Sequence, residues 1–210
     1  MKKLTKIILL LLFLTMVVGC DTTEKEPVKE VQKEEEVTNV DITTLKNTKE
    51  DAEKFIKAIN YQIKDEKIEF VFDHDSEAGQ GQRKNYVYKI VGAKTAKITV
   101  AFYTEENQFY SMSYNIDKEE DYKYLEPVRD GILKAINHYD KCSKDEKCKE
   151  IFIKPGDFKD TKSVAKSFDR IIIGLSYSNI KKYDESHSNT YTFTVVYRKW
   201  VIAKFATTHF

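Results

Sequence analysis

Hydrophobic residues beyond residue 46 follow two spacings, one typical of helices and one typical of strands. A stripe at i, i+3, i+4, i+7 and i+11 predicts a first helix: Ala52, Phe55, Ile56, Ile59 and Ile63. Thr48 and Asp51 form a weak variant of the capping box at its start. Apolar and polar residues then alternate in four runs, which predict strands near 68–72, 86–90, 98–102 and 110–116.

The second half of the chain repeats this order. A helical pattern covers about residues 119–139, where Pro127 either kinks the helix or marks its true start. Alternation returns in three further runs, near 171–177, 191–197 and 200–205. Three stretches are less regular: we interpret 73–85 as a long polar loop, 151–153 as a short strand and 161–168 as a short helix.

Short connections between the strand runs favour antiparallel neighbours. We therefore expect an α+β domain, with an antiparallel arrangement of about six to seven strands and two main helices packed on one face. Residues 56–61 and 133–138 have similar sequences, which indicates either a duplicated helix-plus-meander unit or chance similarity in a chain rich in Ile, Lys and Asn. A helix lying across an antiparallel sheet resembles the cystatin-like architecture.

The first twenty residues form a short basic segment, an apolar run and a cysteine. Lys2, Lys3 and Lys6 precede the run from Ile7 to Val18, which is shorter than the ~20 residues that a membrane-spanning helix needs. It ends in Val17-Val18-Gly19-Cys20, which resembles the bacterial lipobox, although Leu is usual where Val17 stands. The resemblance implies a signal peptide over 1–19 and a diacylglycerol on Cys20. An uncleaved anchor or an ordinary secretory signal are the alternatives.

Residues 20–45 differ sharply in composition from the rest. Residues 21–45 hold eight Asp and Glu against three Lys and almost no aromatic residues, which predicts a disordered acidic tether. The remaining residues, 46–210, then form a single extracytoplasmic domain. The whole chain has a formal net charge of +1, so it lacks the basic surface expected of a nucleic-acid-binding protein.

Two further cysteines frame a hydrophilic loop. Cys142 and Cys148 are separated by five residues, and an exported protein occupies a compartment where disulfides persist. We therefore expect a structural disulfide between them. The spacing suits zinc and redox pairs less well, because those sites use closer cysteines.

The 13 tyrosines suggest a possible binding surface. Tyr110, Tyr114, Tyr191 and Tyr197 lie on predicted strands, where they either form an aromatic face for a protein, peptide or glycan, or simply fill a half-buried sheet. His74, Asp75 and His187 are the residues that an envelope hydrolase with a dispersed active site would use. The chain contains no P-loop, dinucleotide fingerprint or H-E-x-x-H motif, so we expect no cofactor and no metal.

Together these features predict a lipoprotein held on the outer side of the bacterial cell membrane through Cys20. We expect a non-catalytic interaction or ligand-binding module whose partner is an envelope protein, a peptide or a glycan. The alternatives are the dispersed-site hydrolase, a solute-binding protein, and a mobile-element lipoprotein that excludes phage or plasmids.

Overall fold

The computed structural model describes residues 37–153, 162–181 and 187–197. The leader, Cys20, most of the predicted tether and the predicted strand at 200–205 lie outside the described residues. Within the described residues, no helix is both long enough and apolar enough to cross a membrane.

Three α-helices and seven strands follow one another in the part of the chain that the structure describes. The helices are α1 (Lys49–Gln62), α2 (Leu125–Ala135) and α3 (Tyr139–Lys144). The strands are β1 (Phe70–Ala78), β2 (Arg83–Ile90), β3 (Lys97–Tyr103), β4 (Gln108–Ile116), β5 (Lys162–Phe168), β6 (Ile171–Lys181) and β7 (His187–Tyr197). Short 3₁₀ helices cover Lys64–Glu66, Glu119–Tyr124 and Glu146–Phe152.

All seven strands belong to one antiparallel sheet in the order β1-β2-β3-β4-β7-β6-β5. Each of the two meanders keeps its sequential order, and they join where β4 pairs with β7. The helices pack on this sheet, so the predicted α+β class and the helix, meander, helix, meander order are confirmed. The duplication of the two halves stays a hypothesis.

The core lies between the sheet and the helices. Side chains that alternate along each strand point to its inner face, such as Ile98 and Val100 on β3 and Phe193 and Val195 on β7, and all four are fully buried. The α1 stripe predicted from the sequence is confirmed, and the Thr48 hydroxyl accepts a hydrogen bond from the Asp51 N–H at 3.1 Å.

The ordered domain begins earlier than the expected boundary at residue 46. Val40, Ile42 and Leu45 are buried, and the Val40 N–H donates to the Ala135 carbonyl at 2.8 Å. The sequence does not reveal that these apolar side chains are buried, because the many acidic residues dominate the mean hydropathy of residues 20–45. Residues 37–45 therefore belong to the domain rather than to the tether.

Four local predictions are wrong. β1 extends through Ala78, so the loop expected over 73–85 shrinks to the connection between β1 and β2. The stretch expected to be a helix at 161–168 is the strand β5, because its Val164 and Phe168 mimic helical spacing while pairing with β6 decides the outcome. Residues 151–153 do not form a strand, since Glu146–Phe152 is a 3₁₀ helix capped by Asp145.

The fourth correction concerns the second helix. The stretch expected to form one helix over 119–139 is a 3₁₀ turn followed by α2, and α3 is separate from both. Pro127 lies in the first turn of α2, where its missing N–H has no intrahelical partner to lose. Pro127 thus marks the start of the helix, which was one of the two alternatives.

Candidate functional site: the outer face of the sheet

Most of the predicted aromatic face lies inside the protein. Tyr114, Tyr191 and Tyr197 are at most 8% exposed and point to the inner face of the sheet. Burial raises the pKa of Tyr114 well above its usual value. Strand periodicity predicts which residues share a face but not which face is covered, so these three tyrosines are core residues rather than binding residues.

Tyr110 differs because it lies half-buried at the end of the opposite, outer side of the sheet. Its ring contacts that of Tyr103, with 4.6 Å between the centroids, and the Arg83 guanidinium lies 5.5 Å from the Tyr110 centroid. Tyr103, Tyr110 and Arg83 thus form a small cluster held by a ring–ring contact and a cation–π contact.

The outer face itself consists of three aligned rows of side chains that cross all seven strands. One row is Val71, Lys89, Lys97, Asn115, Thr192, Ser176 and Ser163. The second row is His74, Val87, Thr99, Ser113, Thr194, Gly174 and Ala165. The third row is Ser76, Asn85, Ala101, Ser111, Val196, Ile172 and Ser167. None of these positions carries Asp or Glu, and from β4 to β5 every side chain is uncharged.

Hydrogen bonds hold some of these short polar side chains in place. The Thr192 hydroxyl donates to the Asn115 Oδ1 at 2.8 Å, and the Asn115 amide reaches the Ser113 hydroxyl at 3.4 Å. Short side chains on a sheet leave a flat surface, because nothing projects far above the backbone. Over β4, β7, β6 and β5 the three rows are therefore uncharged and mainly polar, with Val196 and Ile172 as the larger apolar side chains.

Two lysines of the outer face oppose each other directly. Lys89 on β2 pairs in register with Lys97 on β3, and like charges at such positions destabilise a sheet. Lys89 forms an ion pair with Asp73, with 2.9 Å between the Lys89 Nζ and the Asp73 Oδ1. The structure shows no such partner for the exposed Lys97 among the described residues. The repulsion around Lys97 is thus only partly relieved within the chain.

The residues of the predicted dispersed hydrolase site are not brought together. His74 lies on the outer face of β1, where its Nδ1 is 2.8 Å from the Asp73 carboxylate. Asp75 points to the other face and pairs with Lys84. His187 begins β7, four strand positions from β1 in the sheet. At about 4.8 Å per strand, the two strands lie nearly 20 Å apart in the sheet. The row of His74 meets β7 at Thr194, seven residues from His187, which adds about 23 Å along the strand.

The two framed cysteines are neighbours in the structure, but as free thiols. Cys142 and Cys148 are both buried, and their side chains share a hydrogen bond. Burial, reinforced by Cys148, raises the pKa of the Cys142 thiol. A buried, protonated thiol is a poor nucleophile. The disulfide is not formed in the structure and stays a prediction for an oxidising compartment.

No group of three or more His, Cys, Asp or Glu side chains suited to a metal ion occurs among the described residues. Comparison of the chain with protein-family models, with characterised proteins and with solved structures finds no match. The cystatin-like resemblance therefore stays a prediction, and any function must be argued from the surface of this molecule.

Proposed function

We propose that this protein is a lipid-anchored interaction module on the outer side of the bacterial cell membrane, and that it binds an envelope protein through the outer face of its sheet. The observation that carries the proposal is Lys97 on the outer face, which lies opposite a second lysine and has no carboxylate partner in the described structure, whereas Lys89 is paired with Asp73. Such a surface is complementary to a flat partner that places an acidic group against β2 and β3.

The size of the outer face suits a protein partner. Seven strands at about 4.8 Å spacing and about seven residues of each strand give an area on the order of 700–800 Å². A standard protein–protein interface buries about 800 Å² on each side. A flat, polar surface of this size offers a protein far more contact than a small molecule could use.

The anchor rests on the first twenty residues. Diacylglycerol on Cys20 supplies two acyl chains, and two chains suffice for stable membrane anchoring. We expect the Cys20→Ser variant to lose labelling by a clickable fatty acid and to leave the membrane fraction. The matched control is Cys142→Ser, which should retain both label and location. Membrane retention of the unlabelled Cys20→Ser protein would instead identify the leader as an uncleaved anchor.

The partner can be captured from the outer face itself. A photo-crosslinking amino acid at position 113 lies near the centre of the outer face, whereas one at position 54 lies on the exposed side of α1. We expect in-cell crosslinking from position 113, and not from position 54, to enrich one envelope protein. Enrichment of the chain itself, or of no protein, would contradict the proposal and favour self-association or a glycan.

Lys97→Glu separates binding from folding, because its two effects have opposite signs. A glutamate opposite Lys89 replaces repulsion by attraction, so the free energy of unfolding should rise by about 0.2–1 kcal/mol. The same charge reversal should weaken crosslinking to the partner at least tenfold, while Lys97→Arg keeps it and Lys54→Glu serves as the charge-matched control. Thermal unfolding and crosslinking yield check the two effects. A variant that is more stable and still crosslinks fully would exclude Lys97 from the interface.

A further inference from the structure

A pocket of about 420 Å³ opens where three separate segments of the domain meet. These segments are residues 39–43, residues 136–141 between α2 and α3, and residues 168–171 at the turn from β5 to β6. We infer that this pocket binds a small zwitterion with an apolar body, such as an amino acid or a short peptide. The inference is independent of the partner proposed for the outer face.

Backbone hydrogen bonds hold two of the three segments together. The Val40 N–H donates to the Ala135 carbonyl at 2.8 Å, which fixes the first segment against the end of α2. The His138 N–H donates to the Leu133 carbonyl at 2.8 Å. The pocket walls are thus parts of the packed domain, and a preformed pocket does not need to be ordered by its ligand.

Charged groups of both signs line the pocket, namely the carboxylates Asp41 and Asp169 and the cations Lys141 and Arg170. Asp41 accepts hydrogen bonds at its Oδ1 from the Thr43 N–H at 2.9 Å and the Thr43 hydroxyl at 2.8 Å. These bonds, with a smaller contribution from Arg170, hold the pKa of Asp41 below its usual value, so the carboxylate is charged at neutral pH. The described structure shows no ion pair between Asp41 and Arg170, although both line the pocket.

A ligand with two opposite charges can use both groups at once. Lys141 and Arg170 are exposed cations at the pocket and suit a carboxylate, and the fork of Arg170 suits it best. The Asp41 Oδ2 receives no hydrogen bond from the described residues and suits an ammonium group. A ligand with only one charge would use either the cations or the Asp41 Oδ2, but not both.

His138 supplies a further acceptor. Its Nδ1 lies 2.6 Å from the Ile136 carbonyl oxygen, and a carbonyl can only accept, so Nδ1 carries the hydrogen. In the neutral ring the Nε2 is then an acceptor, which again suits the N–H groups of an ammonium or a peptide. The ring is held edge-on to Phe168, with 5.9 Å between the centroids.

The remaining lining adds a small apolar surface against which a short apolar side chain of the ligand can pack. Val40, Ile42 and Ile171 are buried side chains at the pocket. At about 30 Å³ for each water, the volume corresponds to about 14 waters, which exceeds a single small amino acid and accommodates a dipeptide. The accessible lining is nevertheless more polar than apolar, so polar groups of the ligand make most of the contacts.

The test compares three forms of one dipeptide on the full chain purified in detergent. Leucyl-leucine carries both charges, N-acetyl-leucyl-leucine only the negative charge, and leucyl-leucine amide only the positive charge. We expect a saturable rise of Tm by about 5–10 °C with leucyl-leucine at a hundred times its Kd. Each of the other two forms should need at least a tenfold higher concentration to produce the same rise of Tm. Equal responses to all three forms, or no response to leucyl-leucine, would overturn the inference.

Variants then assign the binding to this pocket. Arg170→Gln and Asp41→Asn should each raise the Kd for leucyl-leucine at least tenfold by titration calorimetry, and the asparagine can still accept both hydrogen bonds from Thr43. Lys144→Gln is the matched control, because Lys144 lies on α3 close to Lys141 but does not line the pocket. A Kd unchanged in both pocket variants would place the ligand elsewhere and overturn the assignment.

Discussion

Asp121→Ala should lower the free energy of unfolding by about 3–5 kcal/mol, because it leaves several backbone N–H groups without an acceptor. Asp121 is only 3% exposed. Its carboxylate accepts from the N–H groups of Lys94 at 3.0 Å, Thr95 at 2.6 Å and Ala96 at 3.2 Å, and from the Thr95 hydroxyl at 3.0 Å. One side chain thus holds the connection between β2 and β3 against the start of the helical layer.

The pH dependence of stability follows from the same bonds. Burial alone would raise the pKa of Asp121, but the hydrogen bonds from Thr95, Lys94 and Ala96 lower it further than burial raises it. With a folded pKa below the unfolded value of about 3.9, the charged carboxylate stabilises the protein above that pH. This contribution is lost as the pH falls through the folded pKa.

Asp121→Asn is the control that separates charge from shape. The amide oxygen still accepts some of the bonds, so this variant should unfold less readily than Asp121→Ala while losing the acid-dependent part of the stability. Urea unfolding at pH 7 and at pH 3 checks both statements. If Asp121→Ala unfolds like the parent, or if Asp121→Asn keeps the parental dependence on acid, the carboxylate does not hold this connection.

The sequence predicts the architecture well where periodicity is strong. The α1 stripe, the alternation of β3, β4 and β7, and the helix–meander order all appear in the structure, because one buried face imposes each pattern. Short or edge elements are predicted less well. The sequence of β5 predicts a helix, because its apolar residues Val164 and Phe168 lie four positions apart. Its pairing with β6 makes it a strand instead.

The role of Asp121 could not be found in this way. In the sequence it is one of three acids at the start of a predicted helix, which suggests an interaction with the helix dipole. In the structure it instead accepts bonds from residues more than twenty positions earlier in the chain. Such a contact between distant residues leaves no periodic signal.

The candidate sites depend on the same kind of distant contact. Lys89 and Lys97 are unremarkable in the sequence, and only the register of β2 on β3 shows that they oppose each other. The pocket joins segments near residues 41, 138 and 170, which no local pattern connects. For Tyr114 the sequence predicts the strand correctly, but it does not predict that the helices cover the side of the sheet on which Tyr114 lies.

Gly131→Val should lower the free energy of unfolding by about 2–3 kcal/mol through overpacking between α1 and α2. Glycine weakens a helix, so its presence within α2 needs a reason from packing. A Cβ at Gly131 would lie 2.3 Å from the Ile63 Cγ2, just beyond α1, and 3.8 Å from the Ile59 carbonyl oxygen. The absent side chain lets the two helices approach closely, and valine would have to push them apart.

A double-mutant cycle with Ile63→Ala identifies the clash as the cause. Ile63→Ala alone should destabilise the protein by about 2–5 kcal/mol, because it removes a buried side chain. It also removes the atom nearest to the new side chain, so Gly131→Val should cost about 1–2 kcal/mol less in this background than in the parent. Chemical denaturation of the four proteins measures this coupling. Additive losses would mean that valine acts on α2 alone, and that the close approach of the helices does not require glycine.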